Sequence, residues 1–515
     1  MSNPTWSAGY VADAPYTLGF YREMGPEHLA FVALINGYAA PLQAGMRYCE
    51  LGCGRGYGTL LFAAANPDRH FVGIDFNPAH IQEAKDLAKK AGVENVRFVE
   101  MSFTELAQSN DPDLTDFDVV ALHGVYSWVS KEVANDIRHV LRRHLKPGGL
   151  CYVSYNTMPG WAQIMPIQRL MREIAHRTPG DSIRKFSSAR KLLEILEKED
   201  VGYLKVNSAA RSRVAQFPNL PLQYLVHEYM NENWNPLFVT EVMEQMAEAK
   251  LSYAGSASVI ENRVAFNVPQ KLMQTYTEAP DLGLRELLKD FFVNQQFRRD
   301  VYIKGGVRLG QQELEQHYEA ICLVQFGAIP DGVTEWPIPV GTARPKPNVI
   351  PAVLEAVADG PTPIGTIRAH CEKKGVPKVD LPGVLEILIN AGVMRICRSD
   401  HASLDREPAR KLNRAVFELA LGDDTHRFLA SPVLGSAIYA SYTERLLGQL
   451  LLSESLETPV TAFSAYEFLQ RHGKQIKDSG TPVDDLAAAQ EKLSTLLAET
   501  RNRVLPTWRR LGIDL

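Results

Sequence analysis

Glu50-Leu51-Gly52-Cys53-Gly54-Arg55-Gly56-Tyr57-Gly58 follows a short apolar run and precedes Thr59-Leu60-Leu61-Phe62-Ala63-Ala64-Ala65, which has the composition of a helix. Strand, glycine turn and helix in that order bring backbone N–H groups close to a nucleotide-like ligand. Glycine at 52, 54, 56 and 58 keeps side chains out of that approach and permits the positive φ such a turn needs. The pyrophosphate fingerprint G-x-G-x-x-G would need glycine at 57 or 59, which are Tyr57 and Thr59. The stretch also lacks the lysine of a phosphate loop. Glu50, which leads it, suits a ligand with a cationic end.

Working outward, His70-Phe71-Val72-Gly73-Ile74-Asp75 reads as the next buried strand. It ends in a carboxylate about 20 residues after the glycine turn, where open α/β sheets place the acid that grips ribose hydroxyls. Asn77-Pro78 supplies an N-cap and a first-turn proline, and Gly92 a stop. The helix between them carries Ile81, Ala84, Leu87 and Ala91 on one face. Glu-x-Gly-x-Gly followed by a strand-end aspartate resembles the cofactor site of class I S-adenosylmethionine (SAM) methyltransferases.

The whole chain sets wider bounds. Its 515 residues exceed one hydrophobic core, so three or four domains are expected. A net charge of -5 argues against nucleic acid as a partner. Six scattered cysteines without a C-x-x-C pair exclude the common zinc spacings, predict no metal site, and fit a reduced, cytoplasmic setting. No signal pattern and no apolar run of membrane-span length are present, so membrane insertion is not expected.

Three further strand signals complete an alternating pattern: Val96–Val99, Phe117–Leu122 and Leu150–Tyr155. The second runs into His123-Gly124-Val125-Tyr126-Ser127-Trp128-Val129, polar and aromatic residues at the carboxyl end of a strand, where such sheets bind ligands. A doubly wound, Rossmann-like α/β domain is expected over residues 1–160. Beyond it the sequence predicts a helical lid or dimerisation segment (161–215), a mixed region (216–305) and a proline-rich linker (306–348). A winged-helix-like domain (349–400) and a helical C-terminal domain (401–515) follow. The acidic balance favours a protein-contact role for the winged helix over DNA binding. The leading aromatics Trp6, Tyr10, Tyr16, Phe20 and Tyr21 either fold over the ligand as a lid or anchor the first helix to the sheet.

A narrower resemblance rests on His123–Val129, on Asn156-Thr157-Met158-Pro159-Gly160-Trp161 and on Phe217-Pro218 with Tyr224–Met230. Ala247–Ser256 and Phe297–Gly305 extend it. Together these resemble bacterial class I methyltransferases that carry a methyltransferase regulatory domain, a branch that includes protein-lysine methyltransferases acting on outer-membrane surface proteins. The resemblance spans most of residues 10–305 and implies S-adenosyl-L-methionine as cofactor. It places Glu50 at the amino-acid end of SAM and Gly52, Cys53, Gly54 and Gly56 along the methionine portion. Asp75 takes the ribose hydroxyls, and Phe76, Met101, Ser102 and Phe103 border adenine. His123 and Gly124 lie near the sulfonium, and Tyr16 belongs to the covering segment.

Methyl transfer from a sulfonium is an in-line displacement, so alignment and exclusion of water dominate. A lysine acceptor must arrive deprotonated, which an aromatic slot favours by desolvation. Tyr126, Trp128, Tyr155, Asn156 and Trp161, after the strand ends, are the candidates for such a slot, and His123 for acid–base work. Two partners fit: a protein substrate, such as a surface protein, with the later segments forming a homodimer or protein-binding surface, or a small molecule or glycan. A SAM-binding sensor without catalysis leaves the aromatic strand ends unexplained.

Overall fold

The computed structural model describes residues 9–11, 13, 18–40, 42–330, 332–454, 459–475, 477–478, 481–483 and 485–514. A seven-stranded sheet runs through its amino-terminal half: β1 (Arg47–Leu51), β2 (His70–Asp75), β3 (Val96–Glu100), β4 (Phe117–Leu122), β5 (Leu145–Asn156), β6 (Leu251–Ser256) and β7 (Phe297–Lys304). Their order is β3-β2-β1-β4-β5-β7-β6. The first five are parallel, as the alternating pattern predicts; β7 lies antiparallel to β5, and β6 antiparallel to β7. Residues far along the chain thus complete the sheet begun at the glycine turn.

Both faces are covered, so successive residues of a central strand enter different cores. On one face Tyr48, Val119, Ala121 and Tyr152 meet α1 (Pro26–Ile35), α2 (Tyr57–Ala65) and α3 (Pro78–Ala91). On the other, Cys49, Leu51, Val120, Leu122 and Val153 meet α4 (Phe103–Gln108), α5 (Lys131–His144) and the helix Val239–Glu248. In α3, Asn77 caps the first turn by accepting from Ala79 N–H, Gly92 ends the helix with φ of 60°, and Ile81, Ala84, Leu87 and Ala91 are buried. Helices over 165–230 form a third apolar cluster around Phe186, Phe217 and Tyr229.

Residues 306–348, expected as a linker, carry the helix Gln311–Ala320, the strand Cys322–Gln325 and a pairing of Trp336–Ile338 with Gly341–Ala343. Cys322–Gln325 forms a small sheet with Thr362–Pro363 and Met394–Cys397, beside helices Val349–Ala356, Ile364–Lys373 and Leu381–Asn390. The carboxy-terminal part adds a hairpin, Phe428–Ser431 with Ser436–Tyr439, that touches α2, where Tyr57 donates to the Phe428 carbonyl at 2.6 Å. Among the described residues, no helix is long and apolar enough to cross a membrane.

Candidate active site

The parallel strands end together on one edge, and two recesses meet there. The larger, of about 220 Å³, lies between the glycine turn, the ends of β2 and β4, and the starts of α4 and α5. The smaller, of about 70 Å³, lies under Leu18–Tyr21 and runs along Glu50 and the glycine turn. Gly52, Gly54 and His123 line both.

The turn has the backbone its glycines allow. Gly52, Gly54 and Gly56 have φ of 74°, 53° and 70°. A Cβ on Gly56 would lie 2.5 Å from the Ala84 Cβ and 2.6 Å from Phe98, so this glycine seats α2 against α3 and β3. A Cβ on Gly54 would meet nothing within 4 Å. Gly56 serves packing, whereas Gly54 presents bare backbone to the cleft.

Two carboxylates frame that backbone. Asp75 accepts from the N–H groups of Gly54 and Asn77, each at 2.9 Å, and lines the larger recess with His80 3.5 Å away. These bonds fix its rotamer and leave lone pairs for further donors. Glu50 is buried at the end of β1 and accepts from the Thr59 hydroxyl. Burial pushes its carboxyl up to about 7, against the Thr59 hydrogen bond and with the help of the Asp75 charge. A buried carboxylate with one protein donor suits a cationic partner.

At the end of β4, the His123 Nδ1 and the Tyr152 hydroxyl are 2.8 Å apart, and Gly124 N–H donates to Ser154 at 2.8 Å. Tyr21 stacks on the His123 ring with centroids 3.5 Å apart, and Phe297 meets it edge-on at 5.8 Å. Burial and the nearby Arg299 guanidinium lower the imidazole to about 3, so His123 is neutral and a weak base. That ill suits the acid–base role considered from sequence.

Phe76, Ser102, Phe103, Gly124 and Trp128 line the larger recess; Glu50, Cys53 and Gly56 line the smaller. Ser102 also caps α4 through a capping box with Glu105. Met101 packs at the edge of the core. Four acceptor candidates lie outside the lining of both recesses. Tyr126 is buried under the sheet and donates to Gln245 at 2.6 Å, held there by the helix Val239–Glu248. Trp161 donates to the Gln296 carbonyl at 2.7 Å and packs edge-on against Trp234. Asn156 is buried, its N–H donating to Ser127 and its carbonyl accepting from Leu237 N–H. Tyr155 likewise turns into the core, donating to Asp300 at 2.6 Å. Tyr16 lies outside the described residues. Sequence reasoning passed over His80, Ser130 and Val133, which line the cleft from the first turns of α3 and α5 and the approach to α5. Their position just after strand ends was the available signal.

A family model described as "Methyltransferase domain" matches residues 42–200, and one described as "Predicted methyltransferase regulatory domain" matches residues 221–304. An uncharacterized protein of Synechocystis is 33% identical over 515 residues, covering 99% of this chain and 100% of its own. An uncharacterized protein of Rickettsia prowazekii is 28% identical over 334 residues, 63% of this chain and 58% of its own. Among solved structures, PKMT2 from Rickettsia typhi in complex with AdoHcy shares the fold, with a TM-score of 0.70 at 21% identity over 97% of this chain and 100% of that one.

With its parallel sheet and glycine turn, the chain is a SAM-dependent methyltransferase, and S-adenosyl-L-methionine is its cofactor. It belongs to the class I methyltransferases that carry a methyltransferase regulatory domain.

Proposed function

We propose that this methyltransferase N-methylates lysine side chains of a protein, with SAM held across the two recesses. Glu50 takes the ammonium of the cofactor, and the open backbone at Gly54 lies along its methionine portion. Asp75, already oriented by Gly54 and Asn77, accepts from the ribose hydroxyls. Phe76, Ser102 and Phe103 border the adenine, and His123 and Gly124 stand beside the sulfonium. When bound, SAM supplies a methyl group activated by positively charged sulfur.

The observation that carries the lysine assignment is the aromatic setting of the β4 end, where His123 lies among Tyr21, Phe297 and Tyr152. Such walls attract an approaching ammonium by cation–π contact and, by excluding water, favour its neutral, nucleophilic form. His123, with its pKa near 3, is too weak a base to activate a hydroxyl acceptor. The protein therefore aligns a lysine that has shed its proton before transfer. The sequence resemblance to a branch that includes protein-lysine methyltransferases supports the same assignment.

The test is incubation with SAM and lysine-rich surface proteins, with methyl groups mapped by peptide mass spectrometry. Methylation at lysine nitrogen is expected. Transfer only to a small-molecule or sugar hydroxyl would refute the acceptor.

A further inference from the structure

A third cavity, of about 30 Å³, lies away from the cleft, where three separate parts of the chain meet. The turn before α1 contributes Arg22, the strand Met394–Cys397 contributes Arg395, and the hairpin strand Ser436–Tyr439 contributes Ser436. A Cβ built on Gly392 would lie 3.6 Å from Arg395 Nη2 and 3.8 Å from Arg22 Nη1, so the two guanidinium groups converge beside that glycine.

Two donors here lack acceptors. Arg395 Nη1 and the Ser436 hydroxyl are buried without a hydrogen-bond partner among the described residues. Arg395 stacks over Phe326 at 4.7 Å and makes no ion pair among those residues. Glu27, a buried carboxylate that also lines the cavity, ion-pairs with Arg69 at 2.7 Å while its oxygens meet no hydrogen-bond donor among the described residues, and Glu23 pairs with Arg22 at 3.3 Å. His28, also on the wall, has its imidazole pushed below the usual range chiefly by burial, and its Nε2 lies 2.6 Å from the Ala257 carbonyl. A buried guanidinium nitrogen and hydroxyl without an acceptor are costly to keep. An oxyanion with several acceptor oxygens satisfies both, and the planar guanidinium fork matches phosphate.

We propose that this cavity binds a small phosphate-class anion, inorganic phosphate or a phosphomonoester, and that its occupancy tightens cofactor binding. Arg22 is joined to the cofactor cleft through its neighbour Tyr21, which stacks on His123 within the segment that roofs Glu50. Tight backbone bonds tie this turn together, from Met24 N–H to the Tyr21 carbonyl (3.1 Å) and from Gly25 N–H to the Arg22 carbonyl (3.0 Å). An anion that fixes Arg22 against Arg395 therefore fixes Tyr21 over the cleft. The coupling is reciprocal, so cofactor also tightens the anion.

The experiment titrates inorganic phosphate into the full chain by calorimetry, then titrates AdoHcy in phosphate and in chloride of equal ionic strength and pH. Phosphate should release or absorb measurable heat and tighten AdoHcy by about five-fold or more. Arg395→Gln and Ser436→Ala should abolish both effects while leaving AdoHcy affinity in chloride unchanged, which also shows that the variants fold. A phosphomonoester such as glycerol phosphate that binds tighter than inorganic phosphate assigns the ester, and the reverse assigns the free ion. Equal AdoHcy affinity in phosphate and chloride, or an enhancement that survives both substitutions, would overturn the proposal.

Discussion

The Tyr21 ring lies parallel to the His123 imidazole with centroids 3.5 Å apart, closing the end of β4 from the amino-terminal side. Exposed on its outer side and adjoining the Glu50 recess, Tyr21 joins a segment preceding the first helix to both halves of the cleft. Tyr21→Ala should weaken AdoHcy by about ten-fold, or 1.4 kcal/mol, while Tyr21→Phe, which keeps the stack, stays close to wild type. Fluorescence or calorimetric titration of the three proteins measures this.

Glu50 makes cofactor affinity depend on pH. Its carboxyl, raised to about 7 by burial, is mostly protonated in the unliganded protein at pH 5.5 and mostly ionised at pH 7.5. The ionised form is the one that attracts an ammonium, so AdoHcy affinity should rise with pH across this window, on the order of ten-fold. The decisive comparison is Glu50→Gln. Titrations at both pH values should show weaker binding and a flatter profile in that variant; an unchanged slope would remove Glu50 from the ammonium site.

Two glycines of one turn should fail differently. Gly56→Ala forces a methyl against Ala84 and Phe98 at a left-handed φ, and should destabilise the fold by about 3 kcal/mol. Gly54→Ala, also left-handed but facing open space, should destabilise by about 1 kcal/mol while losing most AdoHcy affinity. Denaturant unfolding beside ligand titration separates the two.

Tyr126 should behave as a core residue. Removing its hydroxyl in Tyr126→Phe leaves Gln245 without its donor and should lower stability by about 1 kcal/mol with AdoHcy affinity unchanged. A loss of affinity without a loss of stability would return Tyr126 to the site.

The glycine turn and Asp75 were legible because their chemistry is local: a strand, a turn and a strand-end acid carry their own spacing. The parallel strands were legible for the same reason, β1, β2 and β4 being short runs buried on both faces. Tyr126, Asn156 and Trp161 were not, since being near a strand end does not say which face a side chain takes. Tyr126 turns under the sheet because Gln245, more than a hundred residues later, waits there; Trp161 turns towards Gln296 and Trp234. The place of β6 and β7 in the main sheet was hidden similarly: their apolar runs mark them as strands, but β7 pairs with β5, more than a hundred residues earlier, and β6 joins the sheet only through β7. The aromatic segment posed an open choice from sequence, between a lid and an anchor. Tyr10 and Tyr21 border the recesses, while Phe20 packs on Phe62 of α2.

The central claim is that Asp75 grips the cofactor at the edge of this cleft, and calorimetric titration of AdoHcy into wild type and Asp75→Ala tests it most directly. The loss of two hydrogen bonds to a charged acceptor should weaken binding by about a hundred-fold or more. Because Asp75 also holds the Gly54 and Asn77 N–H groups, thermal unfolding of both proteins without ligand accompanies the titration, and Asp75→Ala should remain folded at the titration temperature. Folded Asp75→Ala that binds AdoHcy as tightly as wild type would contradict the placement of the cofactor.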